Sequence, residues 1–184
     1  MSAAILHDLG HLEVALRNAY DTSLARVPLP AGAEHWTQAP ATLFVRQPKR
    51  AKDGTSIDAN DTPRRQVLAA RRAAGGPNAP GGKVVAEFSF GFWRYLSTSA
   101  HEVPLWRPYL HHAFQPGTSR RDLDQAVRQL HLLRNRVAHH ENLLTANLAA
   151  RHDDVGRVLA MISAQLEQHV AGRSTWASVL TQRP

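Results

Sequence analysis

Apolar side chains recur every three or four residues along most of this chain, which is the spacing of helices that bury one face. The first such segment covers residues 3–20, with Ser2 as its predicted N-cap and an apolar stripe of Ile5, Leu9, Leu12, Leu16 and Tyr20. No segment shows a convincing alternation of apolar and polar residues, the pattern of a half-buried strand. The pattern therefore predicts an all-α fold, arranged as an up-and-down helical bundle.

Capping signals place the other helices. Thr62 is the predicted N-cap of a helix in "TPRRQVLAARRAAGG", and Gly75 stands just past its end. Ser119 is the predicted N-cap of a helix that runs to about Ala138. Further helices are expected at residues 83–97, 105–114 and 153–172.

The predicted helix at 83–97 carries an aromatic cluster that could serve as a base-stacking platform. Its apolar residues nevertheless recur at helical spacing, which favours packing in the core. The predicted inward positions are Val85, Phe88, Phe92 and Leu96.

The segments between the helices are rich in proline and glycine. From about residue 28 to 61 the sequence has no sustained period, which predicts an irregular, partly mobile connection with its tip near Gly54. "GGPNAPGG", residues 75–82, reads as a flexible joint. With no internal repeat and 184 residues, the chain is expected to form one domain, 1–184.

Charge favours a polyanionic partner, RNA or DNA first among them. The net charge is +7, and residues 46–72 hold eight Lys or Arg against three Asp, an excess of five. A contact surface for the RNA backbone is one interpretation, and a solvated basic face is the other. The RNA-binding candidates are Arg64, Arg65, Arg71, Arg72 and Arg136.

The composition also bears on the compartment. The chain has no cysteine, which excludes disulfides and cysteine-based zinc sites, and a reducing compartment is the simplest context. The N-terminus lacks the features of a signal peptide, and no apolar run is long enough for a membrane span. We therefore expect a cytoplasmic protein without a membrane partner.

The stretch "LHLLRNRVAHHENLL" places two arginines, Arg134 and Arg136, and two histidines, His139 and His140, near the end of a predicted helix. Arg134 and His139 would lie about 140° apart on a regular helix, so they are not neighbours on one face. Either the helix breaks near Val137–Ala138 and the histidine folds back, or a second copy of the chain completes the site across a two-fold interface. From spacing alone, Arg134 could instead cap carbonyl groups or pair with Glu141.

This residue set suits cleavage of an RNA phosphodiester. A histidine can take the proton of a ribose 2′-hydroxyl or protonate the leaving 5′-oxygen, because its pKa is near neutrality. A guanidinium matches the phosphate oxygens on which charge accumulates. The expected product is a 2′,3′-cyclic phosphate, and neither a metal nor a cofactor is required.

Metal binding is the competing interpretation. His139 and His140 are adjacent and project in different directions, and no H-E-x-x-H pattern is present. Glu141 and Asp153–Asp154 could supply ligands, but no metal site is predicted. His111–His112 is a similar pair without an arginine in register and reads as a surface feature.

The sequence "LRNRVAHHENLL" resembles the R-x4-6-H signature of the HEPN superfamily. Further similarity to its Abi-like, abortive-infection branch comes from "FSFGFWRYLS", the "LW" at Leu105–Trp106 and the N-terminal "LEVALRNAYDTSLA". These blocks lie between about residues 9 and 144, and the likeness is weakest from Arg46 to Gly82.

The resemblance implies an all-helical HEPN domain that forms a homodimer with two motifs facing each other, and in active members a metal-independent endoribonuclease. Arg134 and His139 would be catalytic, Asn135 would orient the histidine or the phosphate, and His140 and Glu141 would support them. The family's link to phage defence implies a toxin whose RNA cleavage halts growth, held in check by an antitoxin or another regulatory protein.

Two other functions stay open at this point. The chain could be a non-catalytic HEPN module that binds RNA, a nucleotide or a protein partner. A DNA-binding helical regulator is a weaker alternative, because no convincing helix-turn-helix is present.

Overall fold

The structure is a computed structural model, and it describes residues 1–51 and 53–181. The described chain is mostly helical, with one small antiparallel hairpin. Its α-helices are α1 (Ser2–Leu24), α2 (Pro40–Leu43), α3 (Asp61–Ala73), α4 (Gly81–Ala86), α5 (Phe90–Leu96), α6 (Arg120–Ala138), α7 (Leu148–Ile162), α8 (Ala164–Ala171) and α9 (Trp176–Thr181). Short 3-10 turns lie at Trp36–Gln38, Ser99–His101 and Leu110–Ala113, and a π-helical turn at Glu102–Trp106.

The chain divides into two compact units. The first combines Met1–Ser23 with the chain from Trp93 onward, and the second is Leu24–Phe92. In the first unit the predicted stripes of α1 and α6 are both buried, as their helical spacing requires. Their core residues are Ile5, Leu9, Leu12, Leu16, Tyr20, Leu123, Val127, Leu130, Leu133 and Val137.

The second unit has an aromatic core. Trp36 is fully buried, and its ring lies 5.7 Å from that of Phe88, which stacks on Phe92 at 4.0 Å. Stacked rings of this kind add to the free energy that burial of their surface already provides. Core packing of the aromatic cluster is therefore confirmed, and these rings are not exposed for stacking on bases.

The connection expected to be irregular contains a hairpin, so the all-α prediction holds only in its coarser form. Strand β1 (Pro48–Arg50) pairs with β2 (Ser56–Asp58), with Lys49 opposite Ile57. Neither strand has a buried face, so no alternation of apolar and polar residues could reveal it. At the turn, the Asp53 side chain accepts a hydrogen bond from the Thr55 amide at 3.0 Å.

Two predicted helix starts were wrong. Helix α1 begins at Ser2 itself, and α3 begins at Asp61 after Asn60, so Thr62 lies in the first turn. The other predicted helix-end residues are confirmed. Gly75 follows α3 with a φ of 118°, and the Ser119 hydroxyl accepts a hydrogen bond from the Asp122 amide at 3.3 Å. Left-handed backbone after a helix is the conformation that favours glycine.

Two segments predicted as single helices are each divided. The first is interrupted between Ala86 and Phe90. The second breaks at Ser163, whose backbone is extended and whose hydroxyl accepts the Leu166 amide of α8 at 3.4 Å. A serine side chain that bonds the next helix competes with continuation of its own helix. In both cases the apolar period continues across the break, and so it did not reveal the interruption.

No helix in the described part of the chain is long and apolar enough to cross a bilayer.

Candidate functional site

The helix break near Val137–Ala138, one of the two alternatives that the sequence left open, is present, although no hydrogen bond brings His139 back to Arg134. Helix α6 ends at Ala138, and two backbone bonds close its end: the Glu141 amide donates to the Arg136 carbonyl at 2.8 Å, and the His140 amide to the Val137 carbonyl at 3.2 Å. These two bonds define a Schellman motif. His140 occupies its left-handed position with a φ of 56°, the conformation that a Schellman motif usually gives to glycine.

The break leaves His139 on the surface, directly after the helix. Its imidazole is exposed, and Arg134 is partly exposed. Within the described residues Arg134 has no hydrogen bond or ion pair, and no hydrogen bond joins it to His139. Both side chains are therefore at least partly exposed, but no hydrogen bond joins them within one chain.

Arg136 takes the capping role that spacing alone had suggested for Arg134. Its guanidinium donates to the carbonyl of Asn142 and, at 3.4 Å, to the hydroxyl of Thr145. Its Nε lies 3.8 Å from a carboxylate oxygen of Glu141. Arg136 and Glu141, expected to contact RNA and to support the site, thus hold the loop that follows α6.

His131 is a member of the site that the sequence reasoning missed. Its Nε2 lies 3.3 Å from the Asn135 Nδ2, one helical turn away. Burial lowers the pKa of His131, and the positive charges of Arg94 and Arg134 lower it further. The neutral imidazole can then accept a hydrogen bond from the Asn135 amide. The signal was present in the sequence, since His131 precedes Arg134 by three residues and Asn135 by four.

Arg94 belongs to the same positive region. Its guanidinium lies 3.9 Å from the Asp124 carboxylate, which also accepts a hydrogen bond from the Ser97 hydroxyl at 3.1 Å. Asp124 thus offsets part of the charge of Arg94, whereas Arg134 faces no carboxylate within 4.0 Å among the described residues.

A groove of about 720 Å³ adjoins this region. It runs along α6 from Gln125 to Arg136, and the loop after α6 and the start of α7 form its other side. Asn135 lines the groove and also contacts His131, so it belongs to both features. Arg134 and His139 do not line the groove.

The arginines predicted to bind RNA from the second unit are largely engaged in its structure. Arg64 donates to the Phe44 carbonyl at 2.7 Å and to the Asp58 carboxylate. The hydrogen bond from Arg64, together with those from the Gln47 and Asn60 amides, lowers the pKa of Asp58 to about 2. Arg65 pairs with Asp61 at 2.8 Å.

Arg71 and Arg72 differ from each other. Arg71 donates to the Pro77 carbonyl at 2.6 Å and to the Gln38 carbonyl at 3.2 Å. Arg72 is exposed and has no partner within the described residues. Of the four arginines on α3, Arg72 is the one whose guanidinium is unengaged.

The structure gathers no set of three His, Asp or Glu side chains around a metal-sized space within residues 1–51 and 53–181. His111 and His112 stack on each other with ring centroids 3.8 Å apart, and His111 lies 3.1 Å from the Trp106 carbonyl oxygen. Both side chains are exposed, so the prediction of a surface feature is confirmed.

Comparison with known proteins gives no relative: no family model matches the chain, and neither curated proteins nor solved structures match it significantly. The resemblance to the HEPN superfamily stays a prediction drawn from the residues themselves.

Proposed function

We propose that this chain is a metal-independent endoribonuclease of the HEPN type, a toxin or phage-defence effector that uses Arg134, Asn135 and His139. The observation that carries the proposal is the end of α6, where His139 is exposed directly after the helix and Arg134 has no acidic partner among the described residues. A guanidinium that no carboxylate neutralises is able to bind phosphate oxygens.

In the proposed reaction a histidine takes the proton from the ribose 2′-hydroxyl, and the 2′-oxygen attacks the phosphorus. The bond from phosphorus to the 5′-oxygen breaks, and an imidazolium donates its proton to that oxygen. The products are a 2′,3′-cyclic phosphate and a 5′-hydroxyl. Arg134 would stabilise the charge on the non-bridging oxygens, and Asn135 would orient the phosphate or the imidazole.

A two-fold homodimer is part of the proposal, because one chain does not join Arg134 to His139. A large apolar side chain stands exposed in the loop after α6, outside the groove: Leu144 is 75% exposed. Large exposed apolar groups are a feature of surfaces that bind another protein. A facing copy would cover Leu144 and supply a second histidine and a second arginine.

The test is incubation of purified protein with varied RNAs in EDTA, with analysis of the cleaved ends. The Arg134→Ala/His139→Ala variant is expected to lose cleavage and keep its fold, because both side chains are at least partly exposed. Arg173→Ala/His169→Ala is the matched control, since this arginine and histidine are exposed on and just after α8. Equal cleavage by the wild type and the Arg134→Ala/His139→Ala variant, or none by either, contradicts the proposal.

A non-catalytic module that binds RNA, a nucleotide or a protein partner is the second candidate. It is favoured by the absence of a hydrogen bond between Arg134 and His139 in the described chain. RNA binding that weakens steeply with salt, without cleavage and without loss in His139→Ala, would support this candidate.

A further inference from the structure

The groove beside α6 is rich in side-chain carboxamides. Four of its side chains are carboxamides, from Gln125, Gln129, Asn135 and Asn147. Those of Gln125 and Gln129 have no hydrogen-bond partner within the described residues, and Asn147 uses its Oδ1 to cap α7 through the Ala150 amide at 3.0 Å. Donors and acceptors on planar groups are thus available to a ligand.

The charges of the groove, in contrast, are largely engaged. Arg136 is bound to the loop after α6, and Arg151 pairs with Asp154 at 3.1 Å. The apolar part of the lining includes Leu132 and Leu133 on α6. Beside these paired charges, the groove offers a ligand amide groups next to an apolar wall.

We infer that this groove binds an unpaired nucleobase of single-stranded RNA, next to the phosphate held at Arg134. Carboxamides pair with base edges because each presents a donor and an acceptor in one plane. A base has an apolar face that can lie against Leu132, and the volume of the groove is ample for a nucleoside. The base must be unpaired, since a base inside a duplex cannot enter a groove.

Asn135 connects the groove to the positive region around Arg134. Its side chain lines the groove and contacts His131, whose neighbour on α6 is Arg134. A base seated among the carboxamides would place its own phosphate toward the positive region of Arg94 and Arg134. The inference rests on the proposed function, for which it names a specificity site, and it can be tested apart from cleavage.

The experiment measures the binding of four single-stranded decamers, each rich in one base and 2′-O-methylated so that no 2′-hydroxyl can attack. Wild-type protein is expected to prefer one base severalfold. Gln125→Ala/Gln129→Ala should bind that decamer about tenfold more weakly and lose the preference. Because the removed groups are neutral, the salt dependence of binding should not change.

Gln168→Ala is the matched control, an exposed helical glutamine that does not line the groove, and it should bind like the wild type. Unchanged affinity and base preference in the double variant, or no binding of any decamer by the wild type, overturns the inference. Cleavage of unmodified RNA is measured separately. If the double variant loses binding but the wild type cleaves no RNA, only the nuclease proposal is contradicted. If the wild type cleaves RNA but the double variant binds the decamers like the wild type, only the base-binding inference is contradicted.

Discussion

The side-chain amide of Asn135 lies 3.3 Å from the imidazole Nε2 of His131, one turn earlier on α6. This contact connects the residue that follows Arg134 in the motif to a histidine outside the motif. It also requires the His131 nitrogen to be an acceptor, which only the neutral ring provides. The positive surroundings of His131 favour that neutral form.

We expect Arg134→Gln to raise the pKa of His131 toward the ordinary value of a histidine. Burial would still hold it down, but one of the two positive charges that disfavour protonation would be gone. The measurement is an NMR titration of the His131 ring. Arg128→Gln on the same helix is the control, because Arg128 is not among the groups that shift this pKa. An identical His131 titration in wild type and Arg134→Gln would contradict the assignment of Arg134 to this cluster.

His140→Gly is expected to stabilise the protein by about 1 kcal/mol, because a side chain in left-handed backbone is strained and glycine is not. The measurement is the free energy of unfolding in urea. His139→Gly is the comparison, since His139 has a φ of −96° and would gain no relief. A His140→Gly protein that is less stable than the wild type would show that the imidazole makes a compensating contact.

Gly81→Ala is expected to destabilise the protein by roughly 1–3 kcal/mol, the usual effect of overpacking. An added Cβ would lie 2.4 Å from the His35 ring, and that ring is held by a 2.8 Å hydrogen bond to the Thr37 hydroxyl. The neighbouring Gly82→Ala is the matched control, because nothing lies within 4 Å of its Cβ position. Thermal or urea unfolding measures both, and equal stability of the two variants would contradict the close packing at Gly81.

His101 should make the protein less stable in acid. Burial lowers its pKa to about 4, so between that pH and 6.5 the unfolded chain binds a proton that the folded chain does not. The stability that His101 contributes is present above pH 6.5 and is lost as the pH falls toward 4. From pH 6.5 to 5 the loss is about 2 kcal/mol.

Urea unfolding at pH 7 and pH 5 measures this effect, with His101→Gln as the test variant. The variant should lose less stability than the wild type over this interval, because a glutamine does not titrate. His139→Gln, at an exposed position, serves as the control. It should lose the same amount of stability as the wild type between pH 7 and pH 5. The same loss in His101→Gln and wild type would rule out a protonation cost at His101.

Features that depend on residues close together in the chain could be predicted from the sequence. The stripes of α1 and α6, the cap at Ser119, the glycine after α3 and the end of α6 at Ala138 all follow from local spacing and backbone preference. The aromatic cluster was assigned to the core for the same reason. The exposure of His139 follows from that break, because the helix ends one residue before it.

Features that depend on contacts between separate elements became visible only in the folded chain. The β1–β2 hairpin is exposed on both faces, so its strands show no alternation of apolar and polar residues. The helix breaks at 87–89 and Ser163 leave the apolar period unchanged, so the sequence pattern did not predict them. The charge of Arg94, which lies on another helix, lowers the pKa of His131. Arg64 on α3 bonds the Phe44 carbonyl and pairs with Asp58, both of which precede the helix. These contacts determine which arginines are free to bind a ligand. A guanidinium forms a hydrogen bond or ion pair within the protein only when folding brings an acceptor within its reach.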